Sequence, residues 1–85
     1  MKMNRPEILE KLSEIIRSAD ETVAQRLPRL EEETRILEDL GFTSIGMLFM
    51  AVSIEEIFGI KLDDVNIWEL HVLGDVVGMI ERKLA

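Results

Sequence analysis

Apolar residues recur three and four positions apart at Ile8, Leu9, Leu12, Ile15 and Ile16, with Glu10, Lys11 and Glu14 between them on the opposite face. That is the spacing of an amphipathic helix. Asn4, Pro6 and Glu7 supply its start: a capping side chain, a proline tolerated in the first turn and an acid at the positive helix end. The pattern carries this helix to about Ser18, and the spacing of Ala19 and Val23 permits it to continue. Residues 27 to 43 then read as a long connection, opened by the helix breaker Pro28. Glu31, Glu32 and Glu33 read as a solvated run, while Leu30, Ile36, Leu37 and Leu40 pin the connection to the helices. A short extra helix over residues 31 to 37 is compatible with the pattern. A second helix is expected from 43 or 44 to 59, where Gly59 suits its end. Lys61 to Asp64 make a turn. Residues 64 to 70 suggest a short third helix. Gly74 and Asp75 open a fourth, apolar at Val76, Val77, Met79, Ile80 and Leu84 and polar at Glu81, Arg82 and Lys83. No segment alternates as a strand does. The fold class is therefore all-α, a four-helix bundle with a long first loop and a short third helix, forming one domain over residues 1 to 85.

The second helix departs from simple amphipathicity. At about 100° per residue, Met47, Met50, Ala51, Ile54 and Phe58 fall on one side. Ile45, Leu48, Phe49 and Val52 fall nearly opposite, bordered by Glu55 and Glu56, with Ser44 at their N-terminal edge. One stripe can face the bundle, and the other has to be covered. A central helix buried all round would explain this, but few helices remain to surround it in so small a domain. A homodimer seam is a second explanation. The pattern favours a third: a face for partner proteins, apolar at its centre and acidic at its rim.

Charge sharpens that picture. The chain has 85 residues and a net charge of −7. Residues 30 to 69 hold ten acids and two bases, a net −8, whereas the remainder carries +1. A segment of this kind repels nucleic-acid phosphates and attracts basic protein surfaces. There is no cysteine, which excludes disulfides, thiolate metal sites and a cysteine nucleophile. No run approaches the roughly 18 apolar residues of a membrane span, and no stretch has the layout of a secretory signal. A soluble, monomeric, cytoplasmic protein is expected.

Ser44 raises the question of chemistry. A serine at a helix start is ordinarily a cap. Hydrolysis by a serine–histidine pair is disfavoured, because His71 is the single histidine and the local string is Gly-Phe-Thr-Ser-Ile-Gly rather than a Gly-x-Ser-x-Gly elbow. No Walker loop or dinucleotide fingerprint is present. A helix N-terminus does favour an anion, so a hydroxyl there could carry a phosphodiester, with the second apolar face starting beside it.

The string "LEDLGFTSIGML" resembles the attachment motif of acyl carrier proteins, Leu-Gly-x-Asp-Ser-Leu. The resemblance continues through "IEEIFGIKLDD" and "VLGDVVGMIERKL" and covers roughly residues 36 to 85. It implies a bundle of acyl-carrier type without catalysis of its own. Ser44 would receive a 4′-phosphopantetheine arm from coenzyme A, added by a phosphopantetheinyl transferase, and the arm's thiol would hold acyl groups as thioesters. It also implies a recognition face on the second helix (Thr43, Ile45, Leu48, Phe49, Val52, Glu55 and Glu56) for acyl-transferring or acyl-activating enzymes with basic docking surfaces. An acyl shelter would lie inside the bundle near Met50, Ile54, Ile67 and Leu73. Three positions depart from the family: Thr43 stands where an Asp usually precedes the serine, and Gly46 and Phe49 stand where acids are common. These point to a discrete carrier of a specialised fatty-acid, polyketide or secondary-metabolite pathway. An aminoacyl or peptidyl carrier, and an unmodified helical adaptor, are the alternatives. Trp68 is expected to close the bundle rather than meet partners.

Overall fold

The computed structural model describes residues 3–26 and 29–85. Its elements are α1 (Arg5–Ala19), α2 (Val23–Arg26), α3 (Ser44–Phe58), a single 3-10 turn (Ile67–Glu69) and α4 (Leu73–Leu84). Among the described residues there is one isolated antiparallel bridge, Arg35 with Val72, and no strand longer than that. The all-α expectation holds, with three long helices.

α1 starts where its capping residues require. The Asn4 side chain accepts from the Glu7 N–H at 2.9 Å, and the Glu7 carboxylate accepts from the Asn4 N–H at 3.0 Å. This reciprocal pair satisfies two otherwise orphaned donors. The helix stops at Ala19. Asp20 accepts from both the backbone N–H and the hydroxyl of Thr22, a local turn that competes with helix continuation. Val23 is nevertheless fully buried, on the one-turn α2 rather than on an extended α1. Pro28, expected to break the helix, lies outside the described residues.

The connection from 29 to 43 contains no helix over 31 to 37, because its backbone is committed elsewhere. The Ile36 N–H donates to the His71 carbonyl at 2.9 Å, the Leu73 N–H to Thr34 at 2.9 Å and the Gly74 N–H to Glu32 at 2.8 Å. Leu30, Ile36 and Leu40 are buried as expected, but Leu37 is 56% exposed and pins nothing. Glu32 is not simply solvated. Arg5 holds both its oxygens, at 2.6 and 3.1 Å, and also reaches Glu81 at 3.0 Å and the Gly74 carbonyl at 3.2 Å. One guanidinium thus ties α1, the connection and α4 together, and holds the Glu32 carboxyl below its ordinary pKa. Gly74 makes this junction close: a Cβ there would lie 3.1 Å from the Glu32 carbonyl oxygen, tighter than an ordinary contact.

The expected third helix is reduced to one 3-10 turn, capped by Asn66, whose side chain accepts from the Trp68 N–H at 3.1 Å. It does not extend over 64 to 70, because Asn66 before it and Leu70 after it both have extended backbones. Trp68 is 51% exposed, so it does not close the bundle. α4 begins at Leu73, where Asp75 accepts from the N–H groups of His71 and Val72. Those donors hold the Asp75 carboxyl below its usual pKa.

α1 packs against both α3 and α4. Ile8, Leu12 and Ile16 meet Met47, Met50 and Ile54 of α3 and Leu73, Val76, Val77 and Ile80 of α4 in one buried cluster. What remains outside that cluster is the other side of α3.

Candidate functional site: the start and open face of α3

Thr43, not Ser44, caps α3. The Thr43 side chain accepts from the Gly46 N–H at 3.3 Å, and its backbone is extended, as a capping residue's is. Ser44 is therefore the first residue of the helix proper, and it is exposed. The two roles the sequence left on one serine are divided between neighbours. Thr43 satisfies the helix end, and the Ser44 hydroxyl stands in solvent beside the positive end of a fifteen-residue helix. The first turn of α3 holds no acid, so nothing there repels a phosphate.

The helix that follows separates its two stripes. Met47, Met50 and Ile54 are buried to within 2%. Ile45 is 79% exposed, and Leu48, Phe49 and Val52 are about half exposed. The acids at the far end of this face differ from one another. Glu56 is exposed. Glu55 is half-buried, and its carboxylate accepts from the Leu62 N–H at 2.8 Å, holding the chain just after the helix. That bond is not visible in the sequence. Gly59 ends the helix with a positive φ of 67°.

The residues expected to shelter an acyl chain share one core. Met50, Ile54 and Leu73 are buried and Ile67 packs partly buried against them. Met50, Ile54 and Leu73 are each no more than 2% exposed. Met47, Met50 and Met79 all belong to this core, and the unbranched thioether side chain is the one best able to move aside.

Sequence reasoning did not anticipate Ile57, which is 53% exposed at the end of α3. It also did not anticipate a groove of about 330 Å³ beside Ser44, lined by Ala19, Asp20, Gly41, Phe42, Thr43, Ile45, Gly46 and Phe49. Two segments distant in the sequence form it, residues 19–20 and 41–49, so no local pattern announces it.

Residues 8–80 match the family described as "Phosphopantetheine attachment site". The acyl carrier protein of Thermotoga maritima is 32% identical over 81 residues, covering 95% of this chain and 96% of that protein. The chain belongs to the acyl carrier protein family. The acyl carrier protein of Coprothermobacter proteolyticus is 28% identical over 82 residues, covering 96% of both chains. The meromycolate extension acyl carrier protein of Mycolicibacterium aurum is 30% identical over 82 residues, covering 96% of this chain and 81% of that one. An acyl carrier protein is not a catalyst. It carries acyl groups on covalently attached 4′-phosphopantetheine, whose thiol supplies the thioester sulfur that a cysteine-free chain lacks. Phosphopantetheinyl transferases and synthase enzymes are the general partners of the family. None of the helices in the described residues is long and apolar enough to cross a membrane.

Proposed function

We propose that Ser44 is the attachment residue and that the open face of α3 presents the loaded arm to partner enzymes. The observation that carries this reading is the division of labour at the helix start. Thr43 provides the cap, which leaves the exposed Ser44 hydroxyl available for a phosphodiester next to a helix N-terminus. Ile45, Leu48, Phe49 and Val52 then form the apolar centre of the docking face. Glu56 is its acidic rim, and Glu55 fixes the adjoining loop while it borders that rim. Acyl-transferring enzymes with basic surfaces dock at the Glu56 end. The 3-10 turn at Ile67–Glu69 takes the place of a third helix in a four-helix carrier bundle, and residues 1 to 85 form a single carrier domain working in the cytoplasm.

The missing acids at Thr43, Gly46 and Phe49 favour a specialised acyl pathway over a housekeeping one. Relatives named as acyl carriers, one of them for meromycolate extension, favour an acyl cargo over an aminoacyl one. The test is direct. The protein is incubated with coenzyme A and a broad-specificity phosphopantetheinyl transferase, and intact mass is measured. One added phosphopantetheinyl group is expected for the parent chain and none for Ser44→Ala. Addition to Ser44→Ala would place the arm elsewhere and overturn the assignment.

A further inference from the structure

The groove beside Ser44 extends the reading above, because Ile45 and Phe49 of the docking face line it together with residues outside that face. It lies between the end of α1 (Ala19 and Asp20), the loop before α3 (Gly41 and Phe42) and the first two turns of α3 (Gly46 and Phe49). Thr43 and Ile45, the residues on either side of Ser44, also line it. Ser44 itself is not in the lining, but an enzyme acting on its hydroxyl works within one residue of the groove on either side.

The chemistry of the region limits what can recognise it. From Ser44 to Ile54 the chain carries no charged residue. Thr43 spends its side-chain oxygen on the Gly46 N–H. The carboxylate of Asp20, the one acid in the lining, accepts from the backbone N–H and hydroxyl of Thr22 at 3.0 and 2.6 Å. Phe42, Phe49 and Ile45 all line the groove, and Ile45 is 79% exposed. Charge offers a partner little at this end of α3, whereas a recess lined by two phenylalanines and an exposed isoleucine offers burial of apolar surface.

We infer that the phosphopantetheinyl transferase that modifies this chain docks by seating an apolar side chain in the groove between Phe42 and Phe49. The inference rests on Ser44 as the attachment residue. The recess takes over the part that a carboxylate before the serine would play, and Ile45 fits against the transferase surface next to the inserted side chain. Apolar contacts of this kind are not screened by salt, whereas charge steering is.

Two substitutions fill the groove without touching the core. Ala19→Leu does so from the exposed end of α1. Gly46→Ala does so from its floor, where the new Cβ would stand 3.4 Å from the Phe42 ring. Gly46→Ala also removes a helical glycine, so this variant should be at least as stable as the parent. Modification by the broad-specificity transferase is followed by mass, and KM for the carrier is measured with coenzyme A saturating. The expected result is a KM raised about tenfold by Ala19→Leu with kcat little changed, and a smaller rise for Gly46→Ala. The parent KM should change less than about twofold as salt rises from roughly 50 to 500 mM. An unchanged KM in both folded variants would overturn the inference, and so would a KM that climbs steeply with salt, while Ser44 remained the attachment residue. If the parent chain took up no group at all, the attachment reading would fall with it.

Discussion

α1 and α3 are the same length, fifteen residues each, and both lie against the core, yet they treat their outer faces in opposite ways. α1 buries Ile8, Leu12, Ile15 and Ile16 and turns Glu7, Glu10, Lys11 and Glu14 to solvent. α3 buries Met47, Met50 and Ile54 and turns Ile45, Leu48, Phe49 and Val52 to solvent. The fold asks only for the inner stripe of each helix. The outer face of α1 shows what a helix in this bundle looks like when solubility alone decides. Solubility does not account for the apolar outer face of α3, and the proposed docking role does.

The largest break in this comparison comes from the inner stripe. Met50→Glu places a carboxylate where the side chain is 2% exposed and among apolar neighbours. The cost of burying an unpaired charge is several kcal/mol, a large share of a small domain's stability. Loss of the cooperative thermal transition, or a drop in Tm of well over 10 °C, is expected in differential scanning calorimetry.

A smaller effect is expected where α4 begins. Asp75 accepts two backbone N–H bonds as a carboxylate, and its pKa is held low. A depressed folded-state pKa adds stability above the unfolded value of about 3.9, and that stability is lost as pH falls through the folded value. Asp75→Asn should cost about 1 kcal/mol at neutral pH, in the range of a lost cap. Denaturant titrations at pH 7 and pH 3 should show a smaller loss on acidification for the variant than for the parent. An equal loss in both would mean that Asp75 contributes nothing to the acid response.

Thr43→Asp is the mildest change. Aspartate caps a helix at least as well as threonine, so Tm should stay within about 2 °C of the parent. If the substitution restores a charge-assisted contact, modification by a transferase that serves ordinary carriers should quicken by roughly tenfold. The gain should shrink in high salt. An unchanged rate would leave Thr43 as a cap alone.

The difference between the outer faces was legible in the sequence, because a 100° period sorts residues onto faces whatever lies across from them. Phe49 and Met50, adjacent in the chain, separate to 47% and 2% exposure. Local capping was legible to within a residue. Thr43 and Ser44 are both good caps, and only the geometry assigns the bond to Thr43. Contacts between distant segments were not legible. Arg5 with Glu32 spans 27 positions, and Glu55 with the Leu62 N–H lies beyond the helix's own periodicity. For the same reason the acidic run looked uniformly solvated, and Leu37 looked like Ile36. The third helix was overread because residues 64 to 70 do have helical spacing. Asn66 instead takes an extended backbone and caps the Trp68 N–H, and a local cap outweighs a weak helical preference.

The separation of the two stripes of α3 is tested most directly by Phe49→Glu, followed by both thermal unfolding and the kinetics of modification at Ser44. Phe49 is half exposed and lines the groove beside Ser44. The variant should unfold within about 3 °C of the parent. Its kcat/KM with the transferase should fall by roughly thirtyfold or more, as the loss of a central aromatic anchor does. A variant that unfolds as badly as Met50→Glu, or one that stays folded and is modified at the parent rate, would contradict the account.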